Sequence, residues 1–212
     1  MRLPYAPTSP PTTNPPSSSQ EETAAIYSRI AARRAPRPLI PLDLALLHSP
    51  PVADGWNAFL GAIRTKTVVD PALLELAVCR VAVLNGAVYE WNIHAALALK
   101  AGVSARGLET CLGAVVGAGR EEGGGGEGGG LGERGWAVLE YTDQMTKKVE
   151  VDEECFGRVK ALFSEREVVE ITACVAAYNC VSRFLVALDV GEWNGKGMKN
   201  VEELVREAEG KK

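Results

Sequence analysis

The stretch DPALLELAVCRVAVLNGAVYEWNIHAALALKAG, residues 70–102, carries the fold reading. Asp70 followed by Pro71 is a helix start: a side-chain oxygen that can cap the first turn, then a residue whose missing N–H costs nothing there. Leu73, Leu74, Leu76, Ala77, Val81 and Leu84 form a broad apolar face that ends at Asn85-Gly86, a stop signal. A second helix runs from about Ala87 to Lys100 and closes at Gly102. The break between them is short enough to favour antiparallel packing. The expected class is all-α.

The same grammar extends outward. Ser104 opens a third helix through Leu108, Cys111, Leu112 and Val115, and Trp136–Val149 and Asp152–Phe163 read as two more. Ser164-Glu165-Arg166-Glu167 is a capping box that starts the longest helix, running to about Val190. Upstream, a short helix over about 22–34 ends before Pro36 and Pro38. No alternating strand pattern or hairpin signal competes. The reading is a single-domain helical bundle over 21–195, followed by a charged tail or short helix over 196–212. Leu73–Cys79 echoes Val168–Cys174, and each is followed by an asparagine, Asn85 and Asn179, which suggests an internal two-fold repeat.

Two tracts break the pattern. Eleven of the twelve prolines fall within the first 51 residues, and residues 1–20 read as a disordered Pro/Ser-rich lead. Residues 121–135, EEGGGGEGGGLGERG, read as a flexible surface insertion. The tract follows a helical pattern rather than a strand and lacks a closing Gly-Lys-Ser/Thr, so it is not a phosphate loop.

Composition narrows the function classes. The chain has 212 residues, 46% apolar and 24% charged, with 23 basic against 27 acidic side chains and no basic cluster. That balance argues against nucleic acid and anionic membranes as partners. The uninterrupted apolar runs stop short of the roughly 18–20 residues of a membrane span, and no secretory signal is apparent. Five cysteines without metal-ligand spacing point to free thiols in a reducing, cytoplasmic setting, and two histidines are too few for a His-rich metal centre. No cofactor is expected.

Chemistry concentrates on the first two helices. Glu75 stands among Leu73, Leu74, Leu76 and Ala77, as a carboxylate either at the edge of the apolar stripe or inside it. Glu90 and His94 are four apart and share one helical face, amid Val88, Tyr89, Trp91 and Ile93. They read either as a solvated ion pair or as a buried pair. If buried, desolvation raises the carboxyl pKa while a neighbouring carboxylate keeps the imidazole protonated, which supplies proton donors and acceptors near neutral pH. The interhelical turn puts Glu75 and His94 at matching levels, so their close approach is expected.

These residues resemble the carboxymuconolactone decarboxylase and alkyl hydroperoxidase D-like superfamily. The hydroperoxidase motif is Glu-x11-Cys-x2-Cys-x3-His. Glu75 and His94 occupy its ends at the right spacing, but Ala87 and Glu90 stand at the cysteine positions. Tyr89-Glu90-Trp91-x2-His94-x3-Ala98-x3-Gly102 looks like the decarboxylase branch, and Glu170…Tyr178-Asn179-x3-Arg183 is similar to the closing helix of larger members. The resemblance spans roughly residues 40–190 and implies an all-helical oligomer, a homotrimer or homohexamer.

Peroxide reduction of the hydroperoxidase type needs a low-pKa thiolate and a resolving thiol, which Ala87 and Glu90 do not supply. Cys79, one turn beyond Glu75, is the one thiol near these residues. It reads as a core thiol, as do Cys111, Cys174 and Cys180. Arg183 is the candidate for gripping a substrate carboxylate, or else a salt-bridge partner of Glu170 or Glu75; Arg80 and Arg64 have less support. Trp56, Tyr89 and Trp91 either line a pocket for an unsaturated ring or belong to a core or subunit interface. His48 sits in a loop with no catalytic role. The reading is a cofactor-independent acid–base enzyme with Glu75, Glu90 and His94 catalytic. Its small-molecule substrate is expected to be an unsaturated or aromatic-derived carboxylic acid, in catabolism or secondary metabolism. The alternatives are a thiol-dependent peroxidase and a catalytically silent helical oligomer.

Overall fold

The computed structural model describes residues 1–12, 18–116 and 127–210. Its elements are α1 (Ser18–Arg34), α2 (Pro41–Leu46), α3 (Pro50–Thr65), α4 (Pro71–Asn85), α5 (Val88–Ala101), α6 (Ala105–Gly113), a 3₁₀ turn (Glu127–Gly130), α7 (Glu133–Lys147), α8 (Glu153–Leu162), α9 (Glu165–Leu188) and α10 (Val201–Glu209). No strand occurs among the described residues. The fold is all-α, and it contains two compact units: residues 1–67 with 188–192, and residues 68–187 with the chain from 193 onward.

In the N-terminal unit, α2 and α3 are helices that the sequence reading does not resolve. Pro41 and Pro50 look like breakers but sit at the starts of these helices, where a missing N–H is harmless. Asp43 is buried and receives two hydrogen bonds from Arg34, at 2.7 and 2.8 Å. The expected disordered lead is corrected over residues 1–12. The Arg2 N–H donates to the Leu188 carbonyl at 2.8 Å and the Ala6 N–H to the Leu44 carbonyl at 3.2 Å. The amino terminus pairs with Glu192 at 2.5 Å. Backbone pairing of this kind holds a proline-rich segment that composition alone marks as loose. The remainder of that lead before α1 falls on residues 13–17, outside the described residues.

The second unit is built on the α4–α5 hairpin. Asp70 accepts from the Ala72 N–H at 2.8 Å, and Gly86, at φ 63°, closes α4 in a left-handed conformation that a side chain would strain. The core beneath joins Leu76, Ala82, Trp91, Leu108, Trp136 and Leu204, from five helices. Leu204 is fully buried, so residues 201–209 are an integral helix and not a tail. Arg80 is 1% exposed and donates four hydrogen bonds. It holds Asp143 at 2.5 and 2.9 Å, the Cys111 carbonyl at 2.8 Å and the Ala114 carbonyl at 3.0 Å. These contacts give Arg80 a structural role in the core.

The glycine-rich insertion needs a narrower boundary. Residues 117–126 lie outside the described residues, whereas 127–135 are built into the fold. Thr110 donates to the Gly129 carbonyl at 2.7 Å, Ser104 donates to the Gly130 carbonyl at 3.2 Å, and Leu131 is buried in the core. A Cβ at Gly130 would lie 2.7 Å from the Gly107 nitrogen, so the close approach requires glycine there. At Gly129 and Gly130 the glycines reflect tight docking against α6.

Helix α9 has the length and apolarity to cross a membrane by composition. Ile171, Cys174, Val175, Tyr178, Val181 and Leu185 are buried, as in the core helix of a globular unit. Its capping box is formed: Ser164 and Glu167 exchange backbone-to-side-chain bonds at 2.9 and 3.3 Å.

Candidate active site

The hairpin places Glu75 and His94 side by side. His94 Nδ1 is 2.7 Å from Glu75 Oε2, across residues nineteen apart in sequence. The Glu75 side chain is 6% exposed and that of His94 14%, so the pair is nearly dry. The geometry answers which way Glu75 points: into the helix pair, not to the edge of the stripe. With Nδ1 committed to a carboxylate, the ring orientation is fixed. Tyr178 of α9 packs edge-on against the imidazole, ring centroids 5.0 Å apart.

One turn before His94, Glu90 is 1% exposed, the buried alternative of the two the sequence left open. Ser182 Oγ lies 3.1 Å from both of its carboxyl oxygens and 2.8 Å from the Tyr178 carbonyl. Burial pushes the Glu90 carboxyl well above the usual carboxylate range, opposed by the Ser182 hydrogen bond. Glu75, His94, Tyr178, Ser182 and Glu90 thus form one cluster from α4, α5 and α9. Ser182 and the role of Tyr178 are not visible in the sequence. A serine inside an apolar helix has no spacing that ties it to a glutamate ninety-two residues away.

Three buried cysteines are held as thiols. Burial pushes Cys79 well above the ordinary cysteine range, with Cys111, Glu75 and Glu90 adding to the shift. Burial likewise pushes Cys111 and Cys155 up to about 12. A nucleophilic cysteine needs the opposite environment.

The remaining candidates separate. Arg183 is exposed, and its Nη1 donates to the Asn179 carbonyl at 2.9 Å and to Asn179 Oδ1 at 2.6 Å, in place of the salt bridge to Glu170 or Glu75. Asn179 Oδ1 also accepts from Asn85 at 3.1 Å, which joins the two asparagines of the sequence echo. Glu170 binds instead the Val68 and Val69 N–H groups and Arg166. Tyr89 is half-buried on α5. Of its two readings Trp91 takes the core: it is fully buried, and its Nε1 donates to the Lys199 carbonyl at 2.9 Å, docking the segment before α10. Helical periodicity places an aromatic on an inward face but does not say whether a ligand or a helix covers it. Trp56 lies on α3 of the N-terminal unit, whereas the cluster is built wholly by the second unit. Among the described residues no group of three or more His, Cys, Asp or Glu side chains has metal-holding geometry.

The second unit thus carries a Glu–His pair that bridges a helical hairpin in an all-α fold. Residues 50–120 match the model of the carboxymuconolactone decarboxylase family, and the fold is AhpD-like. A protein of unknown function from Agrobacterium tumefaciens, described in terms of AhpD and antioxidant defence, superposes with a TM-score of 0.58 at 20% identity, covering 72% of this chain and 94% of that one. An uncharacterized peroxidase-related protein from Silicibacter sp. TM1040 gives 0.60 at 13% identity, covering 90% and 92%. The debrominase Bmp8, as a cysteine-to-alanine variant in complex with 2,3,4-tribromopyrrole, gives 0.58 at 15% identity, covering 95% and 96%. No curated protein matches the chain.

Proposed function

We propose that the chain is a cofactor-independent acid–base enzyme, a carboxymuconolactone decarboxylase-like carbon–carbon lyase acting on a small unsaturated or aromatic-derived carboxylic acid. The observation that carries this reading is the nearly dry Glu75–His94 bond at 2.7 Å beside the buried Glu90 carboxyl. Loss of CO2 leaves the carbon–carbon electron pair in the conjugated system as an enolate, which must then be protonated at carbon. His94, oriented through Nδ1 by Glu75, delivers that proton from Nε2. Glu90, held neutral by burial, keeps a second negative charge out of a site that receives an anion. Arg183, whose Nη1 is steadied by Asn179, is the guanidinium that orients the leaving carboxylate, and Tyr89 flanks the site from α5. The raised thiol pKa values favour this chemistry over a thiol peroxidase. The same cluster suits isomerisation or dehydration, which need the same proton donor.

The working form is a cytoplasmic homotrimer or homohexamer. The test is turnover of a panel of unsaturated lactone and aromatic-derived carboxylic acids in D2O, following CO2 release and deuterium in the product. Decarboxylation predicts one CO2 and one carbon-bound deuterium per turnover, both lost in a His94→Ala, Glu90→Gln double variant. Deuterium exchange without CO2 would move the reading to isomerisation or dehydration. Turnover that survives in the double variant would overturn it.

A further inference from the structure

The Ser182 hydroxyl has one proton and three oxygens within reach: both Glu90 oxygens at 3.1 Å and the Tyr178 carbonyl at 2.8 Å. It cannot donate to all of them at once. When its proton points to the shorter contact, the carbonyl one turn back on α9, its lone pairs face the Glu90 carboxyl. That arrangement is complete only if Glu90 supplies the proton of the bond between them. Ser182 is fully buried and Glu90 1% exposed, and no other hydrogen-bond partner of the Glu90 carboxyl occurs among the described residues. Cys79 of α4 is an ionisable neighbour that burial keeps a neutral thiol, and His94, paired with Glu75, lies one turn further along α5.

We propose that Ser182 is a positioning residue for Glu90: a rotor with one proton, accepting from the neutral acid while donating to the Tyr178 carbonyl, and turning that proton onto the carboxylate when Glu90 ionises. No bond to a heavy atom changes in this step. The Glu90 proton leaves toward the site, the Ser182 proton swings from one acceptor to another, and the return of a proton to Glu90 reverses both moves. The Tyr178 carbonyl tolerates the loss because it lies within α9, where the helix ladder still supplies a backbone donor. Glu90 therefore stays hydrogen-bonded in both states, which makes it a reversible proton store one turn behind His94. A buried carboxylate without such a donor is strongly disfavoured. The catalytic use of this store rests on the acid–base reading above, whereas the hydrogen-bond arrangement does not.

Isotope-edited infrared spectroscopy of the full-length protein at pH 7 separates the two. A carboxylic-acid C=O band that disappears in Glu90→Gln belongs to Glu90. In Ser182→Ala the acid loses its acceptor, so that band should move to higher wavenumber, and in Ser182→Thr, which restores the hydroxyl, it should return toward the wild-type position. Turnover of a substrate found in the D2O panel should fall on the order of tenfold in Ser182→Ala, through kcat rather than KM. Should the extra methyl of threonine disturb the packing, the alanine variant alone still decides. A Glu90 band that is absent in the wild type, or that stays in place in Ser182→Ala, overturns the proposal. A chain that decarboxylates nothing while its Glu90 band shifts as described sinks the lyase reading and leaves the rotor standing.

Discussion

His94 reaches Glu75 across the α4–α5 hairpin, Nδ1 to Oε2 at 2.7 Å, so the imidazole is oriented by the helix that precedes its own. If His94 is the proton donor, His94→Ala should lower turnover on the order of 10²–10⁴-fold, the range of a positioned acid or base. Glu75→Gln should cost less, because it removes the orienting charge but leaves the ring. Steady-state kinetics on the two variants, with circular dichroism to show both folded, checks the order. A Glu75→Gln effect larger than that of His94→Ala would reverse the assigned roles.

Glu90→Gln should stabilise the protein at neutral pH. Burial raises the folded-state pKa of Glu90 above the ordinary value of 4.5, so the unfolded chain ionises first as pH rises and the folded state loses ground. The loss grows by about 1.4 kcal/mol per pH unit between the unfolded and folded titration points. Glutamine mimics the neutral acid and escapes it. Thermal melts should show a higher Tm for Glu90→Gln at pH 7 and a gain that vanishes near pH 4. A variant no more stable at pH 7 than wild type would mean that Glu90 is not held neutral.

Substituting all five cysteines by alanine or serine should leave turnover within a few-fold of wild type, apart from packing losses of about 1 kcal/mol at the buried positions. Cys79, Cys111, Cys155 and Cys174 are buried and Cys180 is exposed, so a thiol reagent applied to the folded protein should spare those four. Mass spectrometry after labelling reads this directly. Complete loss of turnover in a folded Cys79→Ser variant would end the acid–base account.

Asp143→Ala should be among the costliest single changes in the chain. It leaves the buried Arg80 guanidinium without its charge partner, and breaking a buried pair from one side costs about 3–5 kcal/mol. Urea unfolding should show that loss as a lower midpoint with an unchanged slope.

Light scattering at micromolar concentration should return the mass of a trimer or hexamer. A strictly monomeric mass would remove the oligomer from the proposal and leave the cluster intact, since α4, α5 and α9 of one chain supply all five of its residues.

The α4–α5 hairpin was legible because its boundaries are chemical: Asp70-Pro71 at one end, Asn85-Gly86 in the middle, Gly102 at the other. The Glu75–His94 approach followed from residue levels on two antiparallel helices. Helices α2 and α3 were not legible, because Pro41, Pro50 and Pro51 carry the same signal whether they break a helix or begin one. Ser182 was hidden because its partner is long-range and its residue type is unremarkable in a helix. Trp91 stays open between pocket and core in the sequence because periodicity reports an inward face and not what fills it. The glycines at 129 and 130 were read as slack, although their missing side chains are what allow the chain to press against α6.

That pressed contact has a use in engineering. On the outgoing side Arg80 holds the carbonyls of Cys111 and Ala114, and on the returning side Ser104 and Thr110 hold those of Gly130 and Gly129. The end of α6 is thus moored to α4, and the returning segment is moored to α6 and its N-cap. A flexible guest sequence spliced between residues 117 and 126 adds closure entropy only logarithmically, about 0.6 kcal/mol for each doubling of length. The position is therefore a port for a reporter domain or an affinity tag whose own termini lie close together, well separated in sequence from the helices that carry Glu75, His94 and Glu90.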